Sequence, residues 1–424
     1  MFKKLFFTIL FFIAANISIY PQTNSITKEI LDAALANFDS LVSIRRDLHQ
    51  YPELAGNEIN TSKKIRDYLT KLGLEVKPEI GGHGIVAILK GNKPGQTIAW
   101  RADIDAFKDD SPDNVSFASK ISGVRHICGH DIHTTIGLGI AKVLSSLKDE
   151  ISGTIVFIFQ PAEETFSGAY KMIDDGIFNE IKPEAIFGLH VTPLPTGTIS
   201  VKENEMYPAS KEISITLNGK NNLDSAADEC ITILQSFNIV KDEKKFFDIS
   251  TLGDPQLGVI SPNSIYANYV VVTNARKEES ENGIVVKARV LASTEENHTT
   301  VINQLEEKLN SAQWKDCVKA ISVVQKHENV FNDPKLTAAA VNIIKNGFGE
   351  RVLIPLYGMN PFNNDDFAVF QKQIPGVYFF IGASDFAKGM IAMPHTPNFV
   401  ADENCIEKGV SYFSFLLQQY SSTK

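Results

Sequence analysis

Three short apolar runs, at residues 97–100, 154–159 and 185–189, constrain this chain more than any other feature. Each is bounded by turn residues and too short for a buried helix, so each reads as a strand covered on both faces. Helical periodicity fills the intervals, with apolar positions spaced for helices at 134–147 and 168–175. Strands alternating with helices build a mostly parallel sheet clothed on both sides, an α/β fold. Such sheets place their sites outside the carboxyl ends of the strands. The three runs deliver Arg101, Asp103 and Asp105, then Glu163 and Glu164, then His190 to that edge.

Between the first two runs lies His126-Ile127-Cys128-Gly129-His130-Asp131-Ile132-His133-Thr134, which holds three of the nine histidines and one of the four cysteines. Imidazole and thiolate bind Zn²⁺-like ions, and carboxylates complete such shells. A single His or Cys is more often a packed core residue, but a buried cluster this polar is costly without a shared partner. The stretch reads as half of a metal site, to be completed from the strand ends.

Composition narrows the function classes. A net charge of −9 argues against a nucleic-acid partner, which wants a basic face. Four cysteines in 424 residues form no disulfide scaffold. Lys3 and Lys4 precede the apolar run 5–15, the layout of a secretory signal and shorter than the ~20 residues of a membrane span. The expectation is a signal peptide at 1–22 and an exported protein, periplasmic or secreted, with no stable membrane span after processing; an uncleaved anchor is the alternative.

The remaining length suggests two domains. Helices are expected at 27–50 and 60–72 and strands at 74–80 and 84–90; Arg45, Arg46 and His49 read as readily as a solvated helix face as they do as functional groups. From 207 to 326 the pattern changes to a strand at 212–217, a helix at 226–237, strands at 257–260, 266–273 and 284–292, a helix at 295–309 and a strand at 320–324, with the charge run 276–281 as an exposed turn. That order describes a smaller α+β, ferredoxin-like lid inserted into a catalytic domain made of 27–206 and 327–424. The second catalytic part offers a helix at 336–346, a strand at 376–381, a loop presenting His395 and a closing helix at 406–418.

The motifs Arg45-Arg46-Asp47-Leu48-His49 with Pro52-Glu53-Leu54 and Glu58, Arg101-Ala102-Asp103 with Asp105-Ala106, Cys128-Gly129-His130-Asp131 with His133-Thr134, Gln160-Pro161-Ala162-Glu163-Glu164, Gly188-Leu189-His190-Val191 and His395-Thr396-Pro397 occur in that order. Together they resemble the M20 metallopeptidase family, and most closely its amidohydrolase branch of N-acyl-amino-acid, hippurate and auxin-conjugate hydrolases. The resemblance implies a dinuclear centre of divalent ions (Zn, Mn, Co or Ni) held by Cys128, His130, Glu164, His190 and His395, with Glu163 as general base. Asp103 and His133 would orient the ligands; for Asp103 a plain strand-end salt bridge is the alternative. The implied substrate is a small N-acyl or N-aroyl amino acid or dipeptide-like compound, with its contacts unassigned, and the implied partner is a second copy joined through the lid.

Two departures bear on activity. The family's Gly-Lys-Gly-Gly-His pattern is replaced by Gly219-Lys220-Asn221-Asn222-Leu223, so Leu223 stands where a substrate-polarising His is expected. Loss of such a group costs ~2.7 to 4 kcal/mol in the transition state unless another residue, such as Lys220, Asn222 or His298, replaces it. The usual Glu-Asp-Phe is Asp365-Asp366-Phe367. These departures keep two alternatives open: a binding protein or weakly active homologue on this scaffold, and an aminoacyl carboxypeptidase.

Overall fold

The computed structural model describes residues 25–219, 222–240 and 245–423. The stretch 1–22, read as an export signal, and Lys220 lie outside them. An eight-stranded sheet forms the larger body. Its centre is four neighbouring parallel strands, Ser152–Gln160, Lys93–Asp103, Ala185–Pro195 and Gly376–Ser384. An antiparallel hairpin, Glu75–Ile80 and Gly84–Lys90, borders them on one side. Ile199–Val201 and Leu353–Pro355 border them on the other. The result is the mixed, mostly parallel sheet of an α/β fold.

The apolar runs are strands because both of their faces are covered. The helices Ser25–Gln50, His130–Ser146 and Asn404–Tyr420 pack on one face, burying Trp100, Phe157, Phe187 and Phe379. Gly168–Asp174 and Phe367–Gln371 cover the other, over Val156, Ile158 and Tyr378. Complete burial of each such phenylalanine contributes roughly 1.5–3 kcal/mol. The parallel strands end together, which brings Asp103, Glu163, Glu164 and His190 to one edge.

A second sheet is antiparallel, with strands in the order Val270–Ser280, Gly283–Ala292, Ala209–Leu217, Val318–His327. Ile213, Ile215 and Leu217 alternate inward onto Ala227, Cys230 and Leu234 of the helix Leu223–Ser236, and Leu305 of the helix Glu295–Ser311 completes that core. The order strand, helix, two strands, helix, strand is ferredoxin-like, with one strand fewer than the sequence pattern suggests. Among the described residues no helix is long and apolar enough to cross a membrane.

Three local expectations are corrected. Residues 257–260 form a turn, because the Asp254 carboxylate accepts the Gln256 and Leu257 N–H groups (2.7 and 2.8 Å) and Gly258 N–H bonds back to the Asp254 carbonyl (2.9 Å). The charge run 276–281 is no turn: the strand Val270–Ser280 continues through most of it, with Glu278 paired to Arg276 (2.9 Å) and Lys287 (2.6 Å). Charges suit this strand because it is the exposed edge of its sheet.

The third correction concerns the first helix. Arg45 and His49 are 1 % and 3 % exposed and belong to no solvated face; only Arg46 does. Arg45 Nε and His49 Nδ1 each lie 2.8 Å from Asp131 Oδ2, and Arg45 also reaches Glu403 (3.2 Å). This ties the N-terminal helix to the residue after His130. Burial works against the Asp131 charge, but Arg45 and then His49 hold its carboxyl far below the usual range. A depressed carboxylate stabilises the fold above its unfolded pKa, and that contribution is lost on acidification. Arg45→Ala is therefore expected to cost up to ~3–5 kcal/mol at pH 7, by urea unfolding, because it leaves the buried Asp131 charge to His49 alone. The deficit should shrink below pH ~4, where Asp131 takes a proton in the variant.

Candidate metal centre

Gly129 has φ 91° and precedes the helix His130–Ser146, which starts four residues earlier than its apolar period alone predicts. A Cβ at Gly129 would come 2.5 Å from Val191 Cγ2, so only glycine fits this approach of the loop to the neighbouring strand. The turn leaves Cys128 and His130 on either side of the close contact. Cys128 Sγ lies 3.2 Å from His190 Nε2 and 3.1 Å from His395 Nε2. His130 Nε2 is 3.8 Å from both Glu163 Oε2 and Glu164 Oε1, and His395 Nε2 is 3.7 Å from Glu164 Oε2. His395 itself sits at φ 58°, with its N–H bonded to the Ile127 carbonyl (3.0 Å), so a strained residue is pinned beside the cysteine loop.

The second nitrogen of each ring decides what the first can do. His130 Nδ1 donates to the Asp105 carbonyl (2.9 Å) and His190 Nδ1 to the Val191 carbonyl (2.7 Å). A carbonyl can only accept, so Nδ1 carries the hydrogen and Nε2 is directed at the cluster. His130 Nε2 and Glu164 Oε1 are buried without any hydrogen-bond partner. His133 differs: its Nε2 accepts the Val191 N–H (2.9 Å) and its Nδ1 is bonded to Asp103 Oδ1 (2.6 Å), so both nitrogens are occupied. Asp103 also takes Arg101 (2.7 Å) in a fully buried ion pair.

Charge makes the same point as geometry. Arg101 pairs with Asp103, Asp365 and Asp366, Glu163 lies within 4.8 Å of the last two, and Asp105 and Glu164 flank His130. Burial, then Asp365 and Glu164, pushes the Glu163 carboxyl well above its ordinary range. Burial lifts Glu164 to about 8 against the pull of His130. Burial opposes the His130 charge, yet Asp103 and Asp105 raise it to about 10. Burial, with Glu164 and Glu163, drives the Cys128 thiol up. A divalent cation held here would balance this buried negative charge. Ligand atoms of Cys128, His130 and His190, of Cys128, Glu164 and His395, and of His130, Glu163 and Glu164 fall within 4.8 Å of one another in each group. One thiolate, three imidazoles and two carboxylates suit Zn, Mn, Co or Ni.

All the residues singled out in the sequence for this chemistry therefore converge. Of the proposed stand-ins for the lid histidine, the two that are described, His298 and Asn222, do not. His298 is buried with Nε2 on the Ala209 carbonyl (3.2 Å), Asn222 is the exposed cap of a lid helix, and Leu223 packs onto the lid core. His126 is buried with neither ring nitrogen bonded. Asp365 and Asp366 belong to the Arg101 network, with the Tyr378 hydroxyl on Asp365 and the Ala169 N–H on Asp366 (3.0 Å). Two supports carried no assigned role in the sequence. Asp105 orients His130 and accepts the Glu164 N–H (3.0 Å); Glu58 accepts the Ala162 N–H (2.8 Å) and holds the loop before Glu163, where Ala162 sits at φ 51°. The spacing of Arg101, Asp103 and Asp105, each two apart, was the available signal for the first.

Thiol, imidazole and carboxylate donors at the end of a mostly parallel sheet, beneath a small antiparallel domain, define a metal-dependent hydrolase. The chain belongs to peptidase family M20/M25/M40, which it matches over residues 99–419. It is 32% identical to the N-acetylcysteine deacetylase of Bacillus subtilis over 89% of this chain and 95% of that protein. It is 30% identical to thermostable carboxypeptidase 1 of Saccharolobus solfataricus over 91% and 96%. The crystal structure of the Bacillus subtilis YxeP protein, described as a dinuclear metal binding peptidase of the M20 family, superposes with a TM-score of 0.74 at 28% identity over 91% and 99%. The chain is a metal-dependent amidohydrolase of this family.

Because His130, Glu164 and the Cys128 thiol must shed protons to accept a cation, metal uptake by chelator-stripped protein should release protons. Affinity should rise as pH increases from 6 to 8. Calorimetry in buffers of different ionisation enthalpy measures both, and a pH-independent affinity would contradict the assignment.

Proposed function

We propose that this protein hydrolyses the amide bond of an N-acyl or N-aroyl amino acid, or of a small dipeptide-like compound. In this reading Cys128, His130, Glu164, His190 and His395 hold two divalent ions and Glu163 is the general base. The observation that carries it is the convergence of these side chains from separate strand ends and loops, with His130 Nε2 and Glu164 Oε1 buried and unpartnered. Metal ions bound there supply acidification of a water and polarisation of a carbonyl. Glu163 lines the cavity over the cluster, where its carboxylate takes the proton of the attacking water and returns it to the leaving nitrogen. Asp103 holds His133, and His133 holds the Val191 N–H, so this pair sets the strand that carries His190.

The name of the Bacillus subtilis deacetylase supports an N-acyl amino acid; that of the Saccharolobus solfataricus carboxypeptidase supports a peptide. Export is supported by Lys3, Lys4 and the apolar run 5–15. Pairing of two copies through the lid is supported by Val323 and Val324, exposed at 39 % and 49 % on the edge strand Val318–His327.

The test is a panel of N-acyl amino acids and dipeptides assayed with Zn²⁺, Mn²⁺, Co²⁺ and Ni²⁺ added separately. Glu163→Gln should retain metal and lose at least ~100-fold in kcat, the scale of general-base catalysis. Cys128→Ala should bind less metal, read by elemental analysis. A well-metallated wild type that turns over nothing on the panel would instead mark a binding protein.

A further inference from the structure

We infer that an apolar pocket beside the metal cluster receives the acyl part of the substrate, an uncharged aliphatic or aromatic chain of several carbons. This deepens the hydrolase reading proposed above and rests on it. The pocket encloses about 780 Å³ of empty space when the open solvent at its mouth is included, and its lining is mostly apolar. Its floor is the continuation of the strand that carries His190: Val191, Thr192, Pro193 and Leu194. Met393 and Pro394, just before His395, form one wall. The pocket and the cavity over the cluster share Tyr207, Phe247 and Asn363, so a chain attached to a carbonyl at the cluster has the pocket directly beside it.

The roof comes from residues 246–259, chiefly Phe246, Leu252 and Leu257. That segment is held in place by the Val259 carbonyl, which accepts the N–H groups of Tyr357 (3.0 Å) and Gly358 (2.9 Å). Behind it, Phe246 meets Tyr266 edge to face at 5.0 Å between ring centroids, within a small core of its own. The roof is thus built before any ligand arrives.

The lining also says which end of the substrate enters. Among the described residues Asp248 is the only charged side chain on the pocket, and no Lys or Arg lines either compartment. A carboxylate taken into such a pocket would lose water and find no cation. Seating the amino acid's side chain there draws its α-carboxylate toward that lining; seating the acyl chain brings only carbon.

The test is a binding ladder on metal-loaded, full-length Glu163→Gln, by calorimetry, with N-acetyl-glycine, N-octanoyl-glycine and N-acetyl-leucine, alongside kcat/KM of the wild type on the same compounds. Each buried methylene strengthens binding, so octanoyl should bind at least about tenfold more tightly than acetyl. Leu252→Trp and Val259→Trp, which fill the pocket, should erase most of that ratio. Equal binding of the acetyl and octanoyl compounds overturns the inference. So does a gain that follows leucine over glycine instead of the acyl chain, or a gain that survives both filled variants. If the wild type hydrolyses none of these compounds, the hydrolase reading fails, while the binding ladder still decides what the pocket holds.

Discussion

Buried negative charge that the protein cannot neutralise by itself is the constraint on which this structure depends. Arg101 is fully buried and serves Asp103, Asp365 and Asp366 at once, and burial disfavours its charge less than those carboxylates favour it. That leaves Glu163 and Glu164 facing His130 across 3.8 Å with too little positive charge nearby. In the family to which the chain belongs, metal ions meet that demand. The surrounding apolar sheet makes the demand acute, because a low local dielectric strengthens every unpaired charge.

The histidines show how the fold distributes work among chemically identical groups. His130 and His190 each donate an Nδ1–H hydrogen bond to a backbone carbonyl and keep Nε2 for the cluster. His133, one helical turn after His130, is used up by Asp103 and the Val191 N–H. Side-chain identity cannot separate these cases; only the partner of the far nitrogen does.

This explains what was legible in the sequence. The central strands were, because burial on both faces leaves unbroken apolar runs, and so were the groups at their ends. The start of the helix at His130 was not, since its first turn is written in buried polar residues with no apolar period. The segment 257–260 reads as a strand because its apolar residues line a pocket instead of a sheet, a burial that hydrophobicity alone cannot distinguish. Arg45 and His49 look like a solvated face for the complementary reason: their partner, Asp131, is far along the chain. Asp105 and Glu58 act mainly through backbone groups of other segments, which no residue pattern displays.

One strand, Ala185–Pro195, carries His190 and then runs on as the floor of the apolar pocket. A strand is a ruler, advancing ~3.3 Å per residue and turning each side chain to the opposite face of its neighbour. Sliding it by a single position would turn His190 away from the cluster, so the spacing between cluster and pocket cannot drift by small steps. The roof is under no such restriction, being a looped segment between lid elements. Lineages that diverged from this scaffold could therefore exchange the roof freely while inheriting the gauge beneath it unchanged.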